Sequence, residues 1–238
     1  FYGNNSGEVV SGIGDWKGWK QGDDMLSKLH PSSPVYYLNK TFPIDERLSY
    51  RFLSEDRGTF NDPANPHSFQ EVFGNNTYLR MPGYEEPKYL KAPSRSVPRG
   101  ELRSLEIKSS ARNDNFSRKV SVYIPNGMRL KGKVRFLYVH DGEQAIAIGR
   151  FVDILDNLYH YEPKTSKVIV VFVPPVDRHG EYMMNPKFAR WCARSLAPQV
   201  EKFLKVSSSS ELRAVSGSSL GGLAAAYTAL MHPNVFGN

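Results

Sequence analysis

The chain has 238 residues, 40% hydrophobic and 23% charged, with a net charge of +7 and one cysteine. Such a composition belongs to a globular chain with one large or two modest domains, no apolar run approaching the ~20 residues of a membrane span, and no internal disulfide framework. The excess of Lys and Arg favours anions, yet these residues are scattered and no aromatic-interleaved basic stripe occurs, so neither nucleic acid nor a membrane is an expected partner.

The first residues, Phe1-Tyr2-Gly3-Asn4, carry no initiator Met and no leader pattern. They read as the interior of a longer protein and leave the compartment open. Residues 1–83 are rich in aromatics and turn formers. Short β-like runs at Val35–Leu38, Leu48–Leu53 and Thr77–Met81 lie between Gly, Pro and Asn-Asp clusters, which predicts a small β-sandwich. Asn-x-Ser/Thr occurs at Asn4, Asn39, Asn75 and Asn115 and has meaning only in a secreted glycoprotein. Residues 84–100, with Pro87, Pro93, Pro98 and Gly100, read as a semi-rigid linker.

From residue 101 the pattern changes. Strands are predicted at Leu102–Lys108, Arg118–Ile124, Val134–His140, Val168–Val173 and Leu212–Ser216, the third and fourth being near-continuous apolar runs. Helical spacing follows at Ile146, Ile148, Val152, Leu155 and Leu158, and again at Phe188, Trp191, Cys192, Leu196, Val200 and Phe203. Cys192 falls on the apolar side of this second helix, as a small buried hydrophobe would. Pro198 interrupts it and is expected to kink or restart it. Strands alternating with helices imply a mostly parallel sheet covered on both faces, over residues 101–238.

The stretch Val215-Ser216-Gly217-Ser218-Ser219-Leu220-Gly221-Gly222-Leu223 contains G-x-S-x-G. An apolar strand precedes it and an Ala-rich helix follows, the context of a nucleophile elbow. The bend crowds its own backbone, so the positions two before and two after the serine must be small; Gly217 and Gly221 meet that demand. Ser219 is the candidate nucleophile. The competing reading is a Gly-Ser turn that only lets a strand and a helix pack closely. In this fold an acid and then a histidine follow the serine along the chain. The 19 residues after Ser219 hold no Asp or Glu, and their one histidine is His232. It lies at the far end of a helix of about a dozen residues, roughly 18 Å from the elbow, beside Pro233. A nucleophile without a base is expected of a truncated hydrolase or of a protein that is not a hydrolase.

Further motifs, in order, are Leu137-Tyr138-Val139-His140-Asp141-Gly142-Glu143-Gln144, Val170–Pro175 leading to Arg178-His179-Gly180-Glu181-Tyr182, Leu196-Ala197-Pro198, Gly217–Gly222, and His232-Pro233 through Phe236-Gly237. In this order they resemble the enterochelin (ferric siderophore) esterase-like branch of the α/β-hydrolases. Gly14-Asp15-Trp16-Lys17-Gly18-Trp19 and Asp62–Pro66 resemble that branch's immunoglobulin-like N-terminal domain, and also glycogen-binding modules. The resemblance spans essentially the whole chain. It implies a serine esterase that needs no cofactor, acts on a siderophore trilactone, and carries its acid and histidine beyond residue 238.

An oxyanion hole would take the backbone N–H of Leu220 and a second from Glu143 or Gln144, with Gly142 allowing close approach. The alternative there is a tight turn with Asp141 capping the helix. Arg178 sits at the end of the sheet where ligands bind and is a candidate for an anionic substrate group such as a catecholate; the bland reading is an internal pair with Glu181. Trp16 and Trp19 are candidates to stack on sugar or catechol rings, against ordinary packing. No metal-ligand spacing and no phosphate-cradling loop occurs. Two other functions stay open. One is a carbohydrate esterase, removing feruloyl or acetyl groups from xylan with a glycan-binding first domain. The other is a non-catalytic binding protein. A siderophore esterase would be cytoplasmic; a carbohydrate esterase would be secreted or periplasmic.

Overall fold

The computed structural model describes residues 2–3, 9–20, 24–71, 74–110 and 116–238; Asn4 and Asn115 lie outside them. Contacts divide the chain into two compact units, Phe1–Glu86 and Pro87–Asn238.

The first unit is antiparallel throughout its described strands. Strands β1 (Tyr2–Gly3), β3 (Ser27–Lys28) and β4 (Val35–Tyr37) form one sheet in the order β1-β4-β3. The other sheet, in the order β2-β5-β8-β7, contains β2 (Val10–Gly14), β5 (Arg47–Ser54), β7 (Ser68–Glu71) and β8 (Gly74–Arg80), with β6 (Gly58–Phe60) paired to β5. Tyr2 and Tyr36 from the first sheet meet Val10, Tyr50, Phe52 and Phe60 from the second in one apolar cluster. Strand alternation explains the pairing of faces: Tyr50 and Phe52 point inward while Ser49 and Arg51 point the other way.

The second unit is built on a five-stranded sheet of β9 (Glu101–Lys108), β10 (Ser117–Ile124), β11 (Phe136–His140), β12 (Ile169–Val173) and β13 (Arg213–Ser216), in the order β13-β11-β12-β10-β9. The expected mostly parallel sheet needs correcting. β11 runs parallel to β12 and β13, but β10 is antiparallel to both β12 and β9. A short link between β9 and β10 can only make an antiparallel pair; parallel pairing needs a crossover of a dozen or more residues.

Helices α1 (Gly142–Ala147) and α2 (Phe151–Tyr161) follow β11. They replace the single helix expected there, because Arg150 takes a left-handed conformation (φ 51°, ψ 33°) and restarts the chain direction. α3 (Arg178–Tyr182), α4 (Pro186–Trp191) and α5 (Ala197–Leu204) follow β12, and α6 (Leu220–Met231) follows β13. The two faces of the sheet feed separate cores. Ile169, Val171 and Val173 of β12 pack with Phe188, Trp191, Leu196 and Ala224 from α4 to α6. Val170 and Phe172 of the same strand pack with Ile146, Phe151 and Leu155 from α1 and α2. Every residue of β12 is buried, as a strand covered on both faces requires.

Pro198 has the effect its missing N–H demands. Between α4 and α5 the helix loosens into a π turn over Cys192–Leu196, closed by the Ala197 N–H on the Cys192 carbonyl. Ser110 fills the gap: its hydroxyl donates to the Arg194 carbonyl at 3.2 Å and its N–H to Ser195 Oγ at 3.0 Å. Cys192 is buried, and burial pushes its thiol far above the usual range. The stretch read as a linker is packed along much of its length. Asn157 of α2 donates to the Lys91 carbonyl, the Gly100 N–H donates to Asp156, Arg99 pairs with Asp153, and Val97 is buried.

Candidate active site

Strands β11 and β13 lie side by side and parallel, with Val139 opposite Ser216. The chain leaves β11 toward α1 and α2 on one face, and β13 toward α6 on the other. Open α/β sheets bind ligands at the carboxyl ends of such strands. Ser219 stands there, exposed, between strand and helix.

Its backbone is strained (φ 53°, ψ −121°), a conformation L-residues rarely adopt. The neighbouring glycines show why the sequence must read as it does. A Cβ on Gly217 would sit 2.4 Å from the carbonyl carbon and oxygen of Gly221. A Cβ on Gly221 would sit 2.9 Å from Asp141 Oδ2. Any larger side chain would force the bend open and move the hydroxyl.

The loop after β11 comes equally close. A Cβ on Gly142 would lie 2.5 Å from the backbone of Phe172 and Val173. Gly142, Glu143 and Gln144 form the first turn of α1, whose N–H groups have no helical acceptor. The Leu220 N–H, first in α6, is in the same position. Asp141 does not cap α1 with its side chain. It adopts a left-handed conformation, and its carboxylate goes to Arg178 instead.

Arg178 therefore pairs with Asp141, by Nε at 2.7 Å and Nη2 at 2.9 Å, and not with Glu181. The pairing holds the guanidinium further above its usual range, while the Arg178 side chain as a whole stays 40% exposed. Glu181 has a different partner, distant in the chain. It forms a two-pronged bridge with Arg118 of β10, at 2.7 and 2.8 Å, with both side chains about 95% buried. The Arg118 guanidinium also lies 4.5 Å from the Trp191 ring and donates to the Pro174 carbonyl. This bridge ties the β12–α3 connection to the sheet.

No histidine meets Ser219 among the described residues. His140 is buried between Tyr182 and Phe188, at 5.2 and 5.3 Å, and neither ring nitrogen has a partner. Burial lowers its pKa to about 4, which keeps it neutral. His179 lies exposed on α3, and His232 caps the far end of α6.

Trp16 and Trp19 belong to the first unit. Trp16 is a packing residue: its ring meets Phe42 and Tyr50, and its Nε1 donates to Asp24 at 2.7 Å. Trp19 is more open, 36% exposed, with Nε1 held by Asp15 at 2.8 Å. It lines a cleft of about 370 Å³ together with Asp15, Ser49, Arg51 and Asn76.

A family model described as "Putative esterase" matches residues 111–238. No curated protein matches the chain. Among solved structures, the chain is similar to the enterobactin esterase of Shigella flexneri crystallised in the presence of enterobactin (21% identity, TM-score 0.70, covering 97% of this chain and 64% of that one). It is similar also to the ferric enterobactin esterase of Salmonella typhimurium (19%, TM-score 0.72, covering 96% and 65%). A ferulic acid esterase of Anaeromyces mucronatus matches over 64% of this chain and 61% of its own (19%, TM-score 0.52). The chain thus spans a little under two thirds of the length of these esterases.

Proposed function

The chain belongs to the esterase family, and we propose that the protein is a serine esterase that opens the ester bonds of a siderophore trilactone through an acyl-enzyme on Ser219. The observation that carries this reading is the strained, exposed Ser219 on an α/β-hydrolase scaffold, at the N-terminus of α6 and facing the turn that opens α1.

Ser219 Oγ adds to the ester carbonyl while a base takes its proton. The negative charge moves onto the carbonyl oxygen, which accepts hydrogen bonds from the Leu220 N–H and from Glu143 or Gln144, with Gly142 giving access. The intermediate collapses by breaking the bond to the alcohol, which leaves with the proton. Water then enters, gives its proton to the same base, and releases the acid and free serine. The base must be a histidine brought to Ser219 from outside the arrangement described above.

The trilactone is favoured by the esterases that align with 96–97% of this chain, both units included. The first unit is accordingly proposed as an immunoglobulin-like sandwich. A carbohydrate esterase is the second reading. It rests on the Trp19 cleft, where an aromatic face beside Asp15, Arg51 and Asn76 suits a sugar ring, and on the match to the ferulic acid esterase. Assaying the full-length protein on a ferric trilactone siderophore and on feruloylated and acetylated xylan separates the two. Cleavage of the trilactone is expected; turnover of the xylan esters alone would reject it.

A further inference from the structure

One short helix grips the residue that opens the loop after β11 from both ends. Arg178 holds the Asp141 carboxylate through Nε and Nη2, at 2.7 and 2.9 Å. Tyr182 Oη accepts the backbone N–H of the same Asp141 at 2.9 Å. The two side chains stand four residues apart on α3, one turn, so a single face presents both. The Arg178 guanidinium lies 5.6 Å from the Tyr182 ring, which is fully buried.

What they hold is an unfavourable backbone. Asp141 has φ 55° and ψ 43°, a left-handed geometry that costs energy in L-residues, less in Asp than in most, and that two side-chain contacts hold in place here. The turn it makes starts α1, so it sets where the N–H groups of Gly142, Glu143 and Gln144 point. The grip also abuts the elbow: the vacant Cβ position of Gly221 is 2.9 Å from Asp141 Oδ2 and 3.6 Å from Tyr182 Cε2. Behind it, α3 is anchored by the buried Glu181–Arg118 bridge and by Asp177, which caps it by accepting the Gly180 N–H at 3.0 Å.

We propose that Arg178 and Tyr182 are positioning residues, which hold Asp141 left-handed and thereby aim the α1 N–H groups at the oxyanion formed over Ser219. This rests on the esterase reading above. It gives Arg178 a task other than binding an anionic substrate, and the two tasks differ in kinetics. An anion-binding arginine changes KM. A residue that aims the oxyanion donors changes kcat, because the misplaced donors are missed chiefly in the transition state.

The test uses the full-length protein and p-nitrophenyl butyrate, with rates divided by the number of Ser219 hydroxyls that a fluorophosphonate titrates at completion. Arg178→Gln and Tyr182→Phe are each expected to lower kcat per titrated site by about 100-fold, with KM within about twofold, the loss seen when one oxyanion donor is removed. Arg178→Lys is expected to follow Arg178→Gln, since an ammonium cannot reproduce the two-pronged grip. Tyr182→Phe removes a single buried oxygen while keeping the ring, and keeps the test open should the arginine variants fold poorly. Parental kcat per titrated site in Tyr182→Phe or in Arg178→Gln would overturn the proposal, because an arginine that only binds an anionic substrate group leaves turnover of this neutral ester unchanged. A parent protein with no titratable Ser219 would overturn the esterase reading and the clamp together.

Discussion

Ser219 and its glycine neighbours place the proposed nucleophile in a bend with little spare room. Gly217→Ala would place a methyl 2.4 Å from Gly221 backbone atoms, none of which can swing away as a side-chain tip could. Overpacking of this kind costs roughly 1–3 kcal/mol. We expect a lower thermal midpoint for this variant and little labelling of Ser219. His140 offers a second prediction. Its folded pKa of about 4 lies below the ordinary 6.5, so the unfolded chain binds a proton that the buried ring refuses. Its contribution to stability is complete above pH 6.5 and is lost as pH falls toward 4. Between pH 7 and pH 5 this group alone removes about 2 kcal/mol. Urea unfolding at the two pH values should show His140→Phe losing that much less than the parent; equal losses would contradict the assignment. At this scale the elbow was readable, because its steric demand is written in adjacent residues. The partners of Arg178 and Glu181 were not: Asp141 lies 37 residues from Arg178, and Arg118 lies 63 from Glu181. Sequence spacing favoured the local pair, while packing joined each residue to a more distant one.

The elements show a matching division. Strands β10 to β13 stand within two residues of their predicted limits; for β11 and β12 this follows from near-continuous apolar runs, which leave little freedom in a sheet covered on both faces. Pairing direction was harder to read. A strand's apolar pattern is similar whether its neighbour runs with it or against it, and only the short link between β9 and β10 pointed to the antiparallel part. The π turn ahead of Pro198 depends on Ser110, which contributes from 84 residues away. At this scale the Arg118–Glu181 bridge can be tested directly. Glu181→Gln leaves a guanidinium buried without its counter-charge, and such a loss costs roughly 3–5 kcal/mol. We expect a drop of that size in the unfolding free energy, and a shift below about 1 kcal/mol would show the bridge to be replaceable.

At the scale of the molecule, two compact units with separate cores share one chain; in the sequence, composition changes near residue 83 and the period of apolar residues changes from residue 101. The packing of residues 87–100 onto the second unit was hidden, since Pro-rich segments look alike whether they are free or docked. The family assignment joins these scales: the match over residues 111–238 contains both the elbow and the loop that faces it. All of the proposed chemistry depends on Ser219 being nucleophilic. The most direct measurement is reaction of the full-length protein with a fluorophosphonate, followed by peptide mass mapping. A single adduct on Ser219, absent in Ser219→Ala, is the expected result; an unmodified Ser219, or an adduct on another residue that persists in Ser219→Ala, would contradict it.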